Sequence, residues 1–79
     1  MSARPATSAD LRAACWHVVR GDFDWIDTVR ALRWLAALDA AEAGDPAAWV
    51  RVTRLVADLA VESGPDGADR LVARREVAR

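Results

Sequence analysis

The sequence predicts an all-α fold: a small bundle of three main antiparallel helices followed by a short C-terminal helix. Three observations carry this. The four glycines (Gly21, Gly44, Gly64, Gly67) and three prolines (Pro5, Pro46, Pro65) all fall between apolar-periodic segments. Those segments repeat at helical spacing, and none shows the strict alternation of a half-buried strand. The links are short, which makes successive helices antiparallel neighbours.

Residues 1–6 are expected to fray. Helix 1 starts at Thr7 or Ser8, with Thr7 and Asp10 spaced as a capping box, and turns Leu11, Ala14, Cys15, Val18 and Val19 inward. It ends at Gly21, read as a left-handed stop. Asp22, Asp24 and Asp27 gather at the start of helix 2, where free amides and the helix dipole stabilise negative charge. Helix 2 runs to Gly44. Asp45 then caps helix 3, with Pro46 at its first position, and helix 3 continues to about Ser63. After the break at 63–67, residues 66–79 read as a short arginine-rich helix or a tail. The chain, 1–79, is a single domain of a size at which one core is only just sufficient.

Composition narrows the function. Eleven basic residues, all arginine, against twelve acids give a net charge of −1, so a general nucleic-acid binder is disfavoured. The alanine- and arginine-rich usage suggests GC-rich bacterial coding. One cysteine excludes an internal disulfide, and no apolar run is long enough to span a membrane. The N-terminus lacks the apolar region of a secretory signal, so a cytoplasmic protein is expected.

No catalytic constellation emerges. Cys15 and His17 are two residues apart on a helix and point about 200° away from each other, so they form no nucleophile–base pair. His17 with Asp22, Asp24 and Asp27 is a thin basis for a metal site, because helix capping accounts for the carboxylates. No cofactor, metal or enzymatic activity is expected. A helix-turn-helix reading of helices 1 and 2 fails on charge, since residues 21–45 hold six acids and two arginines.

The informative stretch is 25–43. Wound at about 100° per residue, Trp25, Val29, Leu32, Ala36 and Ala40 form one stripe, with Ile26 and Leu35 at its shoulders. This reads as the core face. Ala31, Trp34, Leu38 and Ala41 form a second apolar stripe on the opposite side, where a surface helix carries charge. The expectation is therefore a non-catalytic adaptor module, self-associating or docking on a larger protein through Trp34 and Leu38, flanked by Arg30. Val50 and Val61 of helix 3 would add a further contact surface. Arg70, Arg74 and Arg75 are candidates for electrostatic docking, or, in an alternative reading, for a small regulator acting on nucleic acid.

Overall fold

A computed structural model describes residues 3–64, 67 and 69–73. Its order is β1 (Ala3–Pro5), α1 (Ser8–Arg20), α2 (Trp25–Glu42), α3 (Pro46–Ala57), β2 (Leu59–Ser63) and β3 (Asp69–Ala73). The strands form one antiparallel sheet in the order β1-β2-β3. The protein is thus mixed α/β, and the all-α bundle predicted from periodicity is incorrect.

The correction falls at both ends of the chain. Residues 3–5, expected to fray, pair with β2, Ala3 opposite Glu62 and Pro5 opposite Ala60. Helix 3 ends at Ala57, where the amide of Asp58 donates to the carbonyls of Leu55 and Val56. The expected C-terminal helix is a strand over Asp69–Ala73, and its remaining positions lie outside the described residues. A three-residue apolar run such as Leu59-Ala60-Val61 fits a helix and a strand equally well, so periodicity alone could not decide. Pairing on both sides decides. As the central strand, β2 buries Ala60 and Val61, which point to opposite faces, and the run loses the alternation of a surface strand. Glu62 faces Arg70 across the hairpin and accepts two bonds from its guanidinium, at 2.7 and 3.1 Å, which favours this register.

The helix starts follow local chemistry. Thr7 Oγ1 accepts from the amide of Asp10, and the Asp10 carboxylate accepts from the amide of Thr7, completing the capping box. The same carboxylate accepts two bonds of 2.9 Å from Arg4, tying β1 to α1. Asp45 caps α3 through the amides of Ala47 and Ala48, with Pro46 opening the helix. Gly44 ends α2 with φ +103°, a conformation that side chains disfavour. Gly21 differs from expectation: its φ of −87° is accessible to any residue. Space is what it provides there, since a Cβ would lie 2.5 Å from the Phe23 ring.

The Arg4 and Thr7 bonds hold the Asp10 carboxyl far below the usual carboxylate range. A depressed folded-state value means that the unfolded chain binds the proton first as pH falls. The contribution of Asp10 to stability is therefore complete above about pH 5 and is lost progressively below about pH 4. Melting curves of the wild type and Asp10→Asn should differ most above that window and converge in acid.

The core joins Leu11 and Cys15 of α1, Ala31, Leu35, Leu38 and Ala41 of α2, and Val52 of α3. Leu59 and Leu71 of the sheet pack against it. Both α1 and α3 touch the sheet, and α2 packs against both helices. Arg12 of α1 reinforces the α1–α2 contact, lying 2.9 Å from Asp39 and from Glu42. One side of α2 is thereby enclosed and the other is left outside.

Candidate docking face on the second helix

The two apolar stripes of α2 are real, but their roles are exchanged. Leu38 is 1% exposed and Ala31 and Ala41 are buried, while Trp34 is half-buried and packs on the core. The stripe read as the core face is on the surface instead. Trp25 is 74% exposed, Ile26 52%, Leu32 49% and Val29 37%. Ala36 is exposed beside them. Charge could not have distinguished the stripes, because Arg33 and Asp39 flank one as closely as Arg30 and Glu42 flank the other. Spacing does not separate them either: Trp25, Val29, Leu32 and Ala36 follow a 4-3-4 spacing and Ala31, Trp34, Leu38 and Ala41 a 3-4-3 spacing, both suited to a helix–helix seam.

The other expected contact residues separate. Arg30 and Val50 are exposed, but Val61 is buried at 4% in β2, so it shares no helix face with Val50. Leu38 is too deeply enclosed to meet a partner. Arg70 is engaged by Glu62, and Arg74 and Arg75 lie outside the described residues. The exposed Phe23 and Trp16 were not singled out by periodicity. Phe23 sits in a loop and stands edge-on to His17 at 5.7 Å, and Arg20 covers the Trp16 ring.

Four exposed side chains in one stripe present on the order of 400 Å² of apolar area, the scale of the largest patch on a typical monomer. Along their flank lies a hollow of about 460 Å³ lined by Trp25, Ile26, Val29, Arg30, Arg33 and Trp34. A cleft of about 540 Å³ between α1 and β3 contains Asp10, His17 and Arg70, but Asp10 is bonded to Arg4 and Arg70 to Glu62. Cys15 is buried, and that burial pushes its thiol up, away from the reactive thiolate. No cluster of three metal-ligating side chains occurs among the described residues. The Asp24 side chain makes no capping bond, although Asp24 occupies the cap position.

Compared with protein families, curated proteins and solved structures, the chain matches none. No helix among the described residues is long and apolar enough to cross a membrane.

Proposed function

We propose that this chain is a non-catalytic protein-interaction module that presents the outer face of α2 to a partner helix. The reading rests on one observation: Trp25, Ile26, Val29 and Leu32 are exposed together on a helix whose opposite side already fills the core. Tryptophan, here at the N-terminal end of the surface, and arginine, here along its rim, are among the residue types most enriched where binding energy concentrates. The module works in the cytoplasm, where its lone cysteine stays reduced.

A photoreactive side chain placed at Leu32 in the full chain, inside a cell of the source organism, tests this. A discrete protein adduct is expected, and adding Trp25→Ser should eliminate it. The same probe at Arg54, an exposed position on α3, should give no such adduct. Equal labelling from both positions would contradict the proposal.

A further inference from the structure

The identity of the occupant can be narrowed from the charge beside the seam, an argument that rests on the docking role of α2. Two hollows meet at Arg33 and together form a valley along the outer side of α2 that reaches α3 only in its second half. One is the hollow beside Trp25. The other, of about 430 Å³, is floored by Ala36, Ala40, Ala47 and Ala48 and edged by Arg51. From Trp25 to Ala40 the helix rises about 22 Å, the length of a partner helix of about four turns. The small alanine side chains let a second helix come close.

Three cations line this valley: Arg30, Arg33 and Arg51. None of them makes an ion pair among the described residues. The one acid in the lining, Asp45, accepts bonds from the amides of Ala47 and Ala48. The valley is therefore apolar at its floor and cationic at its rim. We infer that α2 and α3 receive an amphipathic helix of another protein, with leucine- or alanine-type residues at the seam and aspartate or glutamate along the flank that meets Arg30, Arg33 and Arg51.

Two fluorescent fifteen-residue peptides test this against the full chain by anisotropy. Both carry leucine and alanine at seam spacing, one with glutamates and the other with lysines on the flank. The glutamate peptide should bind about tenfold more tightly, since three rim pairs each contribute a fraction of a kcal/mol. Raising the salt concentration should erode that advantage. Arg30→Glu/Arg33→Glu should invert the preference, and Trp25→Ser/Leu32→Ser should weaken both peptides. Equal affinity for the two peptides, still lost in the Trp25/Leu32 variant, would overturn the acidic partner and leave the docking face intact. If neither peptide binds, or if binding ignores the Trp25/Leu32 variant, the docking face falls as well. A doubling of solution mass that this variant abolishes would make the occupant a second copy and overturn the acidic helix.

Discussion

Leu38→Ala is expected to cost about 2–5 kcal/mol of folding stability, the largest single-site effect predicted for this protein. Leu38 is 1% exposed and belongs to the cluster that joins α1, α2 and α3, so truncation leaves a cavity with walls on every side. A domain of this length commands roughly 4–12 kcal/mol in total. The melting temperature should consequently fall by about 8–40 °C, with the helical signal intact below the transition. Differential scanning calorimetry reads this directly. A shift of only a degree or two would place Leu38 at the surface and not in the core.

Trp25→Ser/Leu32→Ser is expected to do the opposite. These side chains are 74% and 49% exposed, so both keep far more of their area in water than Leu38, which is 1% exposed. Thermal stability should change by less than about 1 kcal/mol, the usual range for surface substitutions. Binding should suffer far more. Removing a tryptophan anchor typically costs about 2 kcal/mol or more, a loss of at least roughly thirtyfold in affinity. Unfolding and peptide binding measured on the same preparation separate the two effects. A variant that unfolds as readily as Leu38→Ala would show that both stripes are core.

The sequence made part of this legible. Two helix starts could be read from capping chemistry confined to a few residues, Thr7 with Asp10 and Asp45 with Pro46, whereas Asp24 ahead of Trp25 forms no capping bond. The presence of two apolar stripes on α2 was equally plain. Which stripe turns inward was not, because that depends on where α1 and α3 lie, and the stripes carry similar flanking charge. The strands were hidden for a related reason. Three- to five-residue runs hold too few periods to distinguish 3.6 from 2, and β1 becomes a strand only through Leu59–Ser63, more than fifty residues away. Gly21 was misread because a glycine needed for space looks, in sequence, like one needed for a left-handed turn.

In this fold α2 turns Trp25 and Leu32 outward and Leu38 inward. Hydroxyl-radical footprinting of the dilute protein, read by mass spectrometry, measures this side chain by side chain. Trp25 and Leu32 should be oxidised rapidly, with Leu11 and Leu38 protected until the chain unfolds. Protection of Trp25 and Leu32 alongside rapid labelling of Leu38 would contradict this orientation of α2.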